Sequence, residues 1–249
     1  MWAASSQAGD DVMATVDIGT FLAERHRHFP PGDSPITSVE FGVPRVHYES
    51  QDTWTSTVTS ALDWRAEVRV SALDAHGQAP DVVVGFVDFL VLQLGRQPVA
   101  EVLSLHGDRA AQFGELFDDV WLAEDLDEND DFTAGMSISA VLVVLDARVD
   151  ARIPSEARLR PWAVAEVVDT MLPTTTGLVA MSAFASPLAP EQHRRLVSAD
   201  RIDADWPLVG CTSIPGHPDF FGRATAYTYL GDARSSLGVI RDQTFEVEP

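Results

Sequence analysis

The chain contains no lysine. All 17 of its basic residues are arginine, against 38 Asp and Glu, and the formal net charge is −21. Without lysine there is no Schiff-base chemistry, no lysine general base and no lysine clamp on a phosphate. The acidity argues against nucleic acid as a partner, because affinity for it comes largely from basic side chains on phosphates. It favours solubility and a cationic partner. Cysteine is almost missing too. Cys211 alone excludes an intrachain disulfide framework and fits a reducing, cytoplasmic setting. The opening MWAASSQAGDDV lacks the basic start and apolar stretch of a secretory leader. The longest apolar run, VVVGFVDFLVLQLG, carries Asp88 and is too short to span a bilayer, so no membrane partner is expected. There is no G-x-S-x-G, no P-loop and no H-E-x-x-H.

What is present is ordinary globular composition: 249 residues, 45% of them hydrophobic, enough to bury a sizeable core. The turn-rich FPPGDSP closes an N-terminal extension over residues 1–35, in which IGTFLAERHRHF reads as one short helix. Residues 36–249 read as a single domain. Extended segments are expected at 38–50, interrupted by Pro44, at 63–74, and at 81–94, where Gly85 and Asp88 suggest a bulge. Residues 98–121 have helical spacing, split at Gly107. Residues 122–135 read as an exposed acidic loop. The continuous apolar run at 136–151 predicts a strand buried on both faces. A helix follows at 160–172, with Pro161 in its first turn and Glu166 near enough to its start to suit the dipole. A strand at 176–188, a short helix at 189–199 and closing strands in WPLVGCTSI and GRATAYTYL complete the chain. The β–α–β unit at its centre predicts a right-handed parallel crossover. The fold class expected is α/β (mixed α+β): a twisted mixed sheet flanked by helices.

Three smaller constellations invite chemistry. Asp125, Asp127, Asn129 and Asp131 begin like a calcium loop, but the sixth and twelfth positions hold Asp130 and Met136 rather than Gly and Glu. The segment reads as solvated acid. His26 and His28 lie two apart with no third ligand evident, so no metal is expected. Cys211, His217 and Asp219 could be read as nucleophile, base and orienter; a buried structural thiol is the simpler reading. Trp121, Trp162 and Trp206 fall in amphipathic positions and suit the core or a seam.

Four stretches carry a resemblance: the strand DVVVGFVDFLVLQL, the strand SAVLVVLDARVDARIP entering the helix RPWAVAEVVDTML, the strand GLVAMSAFASPL, and the closing DWPLVGCTSI and GRATAYTYL. In this order, over roughly residues 60–230, the chain resembles the GNAT superfamily of N-acetyltransferases, and most of all its actinobacterial GNAT-like members. The resemblance implies an acyl-CoA-dependent N-acyltransferase with acetyl-CoA or CoA as cofactor. The acceptor would be a small-molecule amine or a cationic protein, and a homodimer is compatible with it. In that superfamily the loop after the main strand reads Arg/Gln-x-x-Gly-x-Gly/Ala and offers amides to the cofactor pyrophosphate. Laid on this chain, Ser155 takes the first position, and Arg158 and Arg160 replace the two glycines. The cofactor-binding set is then Arg148, Val149, Ser155, Arg158, Leu159 and Arg160. Arginine side chains could meet phosphate there, or could leave binding weak, altered or lost. No Tyr stands after the next strand, and His193 is the nearest titratable substitute for an acid. Asp146 and Asp88 are the carboxylates best placed to act as base, or else are carboxylates satisfied by Arg. An acyltransferase predicts an open cleft between strands ending near Arg148 and Phe184, with free amides at 147–149 and 158–160. The alternative, a non-catalytic pseudoenzyme or acidic interaction module, predicts that Arg158, Arg160 or Trp162 fills that cleft.

Overall fold

The computed structural model describes residues 15–29, 36–51, 60–73, 75, 79–183 and 203–248. Three long strands follow the N-terminal segment: β2 (Val39–Ser50), β3 (Ala61–Ala72) and β4 (Asp81–Gln93), each antiparallel to the next. Alternation explains β3, where Ala66, Val68 and Val70 are buried and the residues between them are charged. Pro44 cannot donate to a ladder. The strand absorbs it by a register shift between Gly42 and Arg45, with Val43 at φ 51°.

β4 leads into α2 (Val99–Leu105) and α3 (Asp108–Ala111), separated at Gly107 as its φ of 95° requires. A small hairpin, β5 (Phe117–Asp118) and β6 (Trp121–Leu122), follows. The acidic side chains of the stretch after it are exposed, as expected, but the backbone is not a loop. It forms two helical turns, α4 (Glu124–Asp127) and α5 (Asp130–Thr133), because Leu126 and Phe132 are buried and anchor it, and the Asn129 side chain caps α5 at the Phe132 amide.

β7 (Ala140–Val149), α6 (Leu159–Met171) and β8 (Gly177–Ser182) form the expected parallel crossover. The chain closes with β9 (Thr212–Ile214), β10 (His217–Ala224), α7 (Thr228–Leu237) and β11 (Phe245–Val247). The final strand was expected over 222–230. It starts at His217 instead, and Tyr227 and Tyr229 belong to the entry of α7, whose Leu230 and Leu237 are buried two turns apart. The helix expected at 189–199 lies outside the described residues.

The described strands give one large mixed sheet in the order β11-β2-β3-β4-β7-β8-β10-β9, flanked by helices on both faces. β1 (Thr15–Asp17) joins it, parallel to the first residues of β4. It runs into α1 (Ile18–Ala23), whose Phe21 packs edge-on against Phe41 in the core. Residues 15–23, read from sequence as part of an extension, therefore belong to the sheet and core. One face of the sheet is covered by α1, α6 and α7. The other is covered by α2, α3 and the turns that follow. α6 is buried on nearly every side from Leu159 to Val168, as expected of a helix apolar all round. No helix among the described residues is long and apolar enough to cross a membrane.

Candidate functional site

The sheet opens where β7 and β8 part. Their pairing runs from Ala140 opposite Gly177 to Val144 opposite Met181 and stops. β7 continues to Val149, held by β4 alone. The Asp150 amide donates to the Val84 carbonyl, 2.8 Å. In an antiparallel ladder, peptide groups alternate sides, so Ala147 and Val149 turn theirs away from β4, toward the opening. α6 begins across from them. Between lies a cleft of about 460 Å³, lined by residues 147–151, 153–155 and 158–161 and by Asp205.

The loop that crosses the cleft is built by local geometry. Asp150 accepts from the Arg152 amide. Ser155–Ala157 make one 3-10 turn, and Arg158 then adopts φ 49°, ψ 30°, the left-handed conformation. That is the conformation glycine takes most readily, and here an arginine holds it. Of the amides expected to be free, Arg158 donates to Ser155, whereas Leu159 and Arg160 have no hydrogen-bond partner among the described residues. Both belong to the first turn of α6, where such amides attract anions.

The side chains in this set have separate fates. Arg158 is exposed and has no ion pair among the described residues. Ser155 is exposed, Val149 half-buried and Leu159 buried. Arg148 pairs with Asp146 at 2.8 Å. Arg160 is taken by the chain itself. Its Nε donates to Asp205 Oδ2 at 2.5 Å and its Nη2 to Asp203 Oδ1 at 2.6 Å, and it lies over the Trp206 ring. The Asp203 side chain is 1% exposed and its Oδ2 has no partner among the described residues. Burial raises its pKa, against the pull of the Asp205 amide and Arg160. Trp162 is in the core, with its Nε1 also unpartnered among the described residues.

The carboxylates picked out as bases face each other across β4 and β7, Asp88 opposite Asp146. Each is neutralised. Arg65 makes a bidentate bond to Asp88, 2.7 and 2.8 Å, and Arg109 and Arg148 both reach Asp146, 2.9 and 2.8 Å. An Arg65–Asp88–Asp146–Arg109 ladder thus runs across three strands to α3. His193 and Phe184 lie outside the described residues.

The local Cys–His–Asp reading does not assemble. Cys211 is buried, which pushes its thiol up to about 12. The ring nitrogens of His217 face Glu115 and Asp125, both at 3.5 Å. His28 stacks on Phe21 and His26 is exposed. Among the described residues no group of three His, Cys, Asp or Glu side chains could hold a metal.

Sequence reasoning missed two charge clusters. One is Asp203–Asp205 on Arg160; its only trace was an i, i+2 pair of acids before Trp206, and the base nearest to them in sequence is Arg201, not Arg160. The other surrounds Glu166, expected to suit the helix dipole and found as a buried anion held by arginines. Arg234 of α7 reaches it at 3.3 Å and Arg241 at 2.6 Å, and Tyr48 of β2 bonds Thr170 one turn on. Compared with protein-family models, with curated proteins and with solved structures, the chain matches none.

Proposed function

We propose that the protein is a GNAT-like acyl-CoA-binding protein, cytoplasmic, with weakened cofactor binding and a small-molecule amine or cationic protein as its acceptor or partner. The observation that carries this reading is the parting of β7 from β8 opposite the start of α6. It leaves the peptide groups of Ala147 and Val149 and the amides of Leu159 and Arg160 without partners among the described residues, around one cleft. Open strand amides suit an amide-bearing chain, and helix-terminal amides suit a phosphate. The left-handed backbone at Arg158 supports the same reading, since the turn survives without its glycine. A bound acyl-CoA would supply the activated acyl group. The chain's own part would be to hold it and admit an amine. Asp88 and Asp146 are each held by arginine, so in this reading the amine arrives uncharged or loses its proton to water.

One observation favours a second reading, a non-catalytic acidic module. The arginine best placed for a phosphate is neutralised by the chain's own carboxylates, and both central carboxylates are neutralised as well. Thermal shift and calorimetry with CoA and acetyl-CoA separate the two. A ligand that binds only the native state raises its stability, by about 2.7 kcal/mol at a hundred times its Kd. A rise in Tm with either compound is expected, and no shift at millimolar concentrations would sink the acyl-CoA reading.

A further inference from the structure

We propose that Asp205, seated with Asp203 on Arg160, is an internal anion that occupies the phosphate position of the cleft and sets its selectivity against phosphate-bearing ligands. This rests on the reading of the cleft given above and specifies how its binding is limited.

Three observations converge. First, the geometry of capture is that of a ligand. Arg160 presents Nε to Asp205 and Nη2 to Asp203, the donors a phosphate would use, and its face lies over Trp206. Second, the carboxylates are held in place by the fold and not by Arg160 alone. The Asp203 amide donates to the Ala183 carbonyl at 2.8 Å, the Asp205 amide to Asp203 Oδ1 at 3.0 Å, and the Trp206 indole to the Ser182 carbonyl at 2.7 Å. Trp206 is buried and its carbonyl accepts from Cys211. Third, Asp205 lines the cleft at the end of α6 where, among the described residues, the Leu159 and Arg160 amides have no partner, and the Asp203 side chain behind it is buried with one oxygen unpaired.

A phosphate entering this corner meets one arginine already shared by two carboxylates, and a fixed negative charge beside it. Arg158, exposed and unpaired among the described residues, is the cation left at the mouth. Asp205 is therefore a specificity-determining residue. Its side chain is partly exposed, 27%, and can be changed without opening the core.

The test is calorimetric titration of the full chain with inorganic pyrophosphate and, separately, with CoA. The proteins compared are wild type, Asp205→Ala, Asp205→Asn, and Asp205→Ala combined with Arg160→Gln. Removing a like charge at hydrogen-bond range is expected to tighten pyrophosphate binding about tenfold or more in Asp205→Ala. The gain should be lost again when Arg160 is changed. Asp205→Asn keeps the size and removes the charge, so it carries the test if the alanine variant fails to fold by circular dichroism. Equal pyrophosphate affinity in wild type and both Asp205 variants, including no binding in any of them, overturns the proposal. Wild type binding CoA as tightly as the variants also overturns it and leaves the acyl-CoA reading standing. Tighter pyrophosphate binding in the variants without any CoA binding upholds the internal anion and removes the acyl-CoA reading.

Discussion

Arg158 and Arg160 stand two residues apart and do opposite things. Arg158 holds a left-handed backbone with its side chain in solvent. That conformation costs a non-glycine residue about 1–2 kcal/mol, while glycine adds about 1 kcal/mol of unfolded-chain entropy. Arg158→Gly is therefore expected to leave stability unchanged or raise it by up to about 1 kcal/mol. Arg160 is the counter-ion of a carboxylate that water cannot reach. Arg160→Gln strands that charge and is expected to cost about 3 kcal/mol. Urea unfolding of the two variants checks the contrast. A large loss at 158, or none at 160, would refute the roles assigned here.

Among the elements, α6 organises the molecule. Its first turn borders the cleft, its apolar sides pack on the sheet, and its one buried charge, Glu166, ties it to the C-terminal segment through Arg234 and Arg241. The bond to Glu166 is the main reason the Arg234 pKa is raised. The arginines are partly exposed, 37% and 53%, and can rehydrate when the acid is neutralised; the 10%-exposed carboxylate cannot when they are removed. Glu166→Gln is thus expected to cost about 1–2 kcal/mol. The Arg234→Gln and Arg241→Gln pair together should cost more, about 3 kcal/mol. Equal losses in urea unfolding would mean that the two sides of this cluster are equally solvated.

At the scale of the whole molecule, the absence of lysine clears the alkaline range of its usual titrations. Two groups raised by burial remain: Cys211, from 9.0 to about 12, and Tyr48, above its ordinary 10.0. In both cases the folded state keeps a proton that the unfolded chain gives up. The stabilisation is complete below pH 9, and it is lost as pH climbs from there through the folded values. Melting temperatures from about pH 8 to pH 11 should fall steadily in wild type and less steeply in Cys211→Ala, with a further flattening above about pH 10 in Tyr48→Phe. A variant slope identical to wild type would show that neither group governs alkaline stability.

Periodicity in the sequence determined the long strands, the helix at 159–171 and the parallel crossover, because their apolar spacing is local and strong. It also placed the strand–loop–helix junction, whose loop holds no glycine. It misread segments whose folding depends on distant partners. The acidic stretch at 124–133 coils because Leu126 and Phe132 find the core, and Glu166 is buried because α7 and the residues after it bring two arginines over it. Only the tertiary structure decided the state of the cleft. Whether Arg160 meets a ligand or its own chain depends on Asp203 and Asp205, more than forty positions away. Asp88 and Asp146 are likewise ion-paired only because the fold brings the arginines of β3 and α3 to them. Charges at such sequence separations have no periodic signature, and their pairing is set by the sheet order that brings them together.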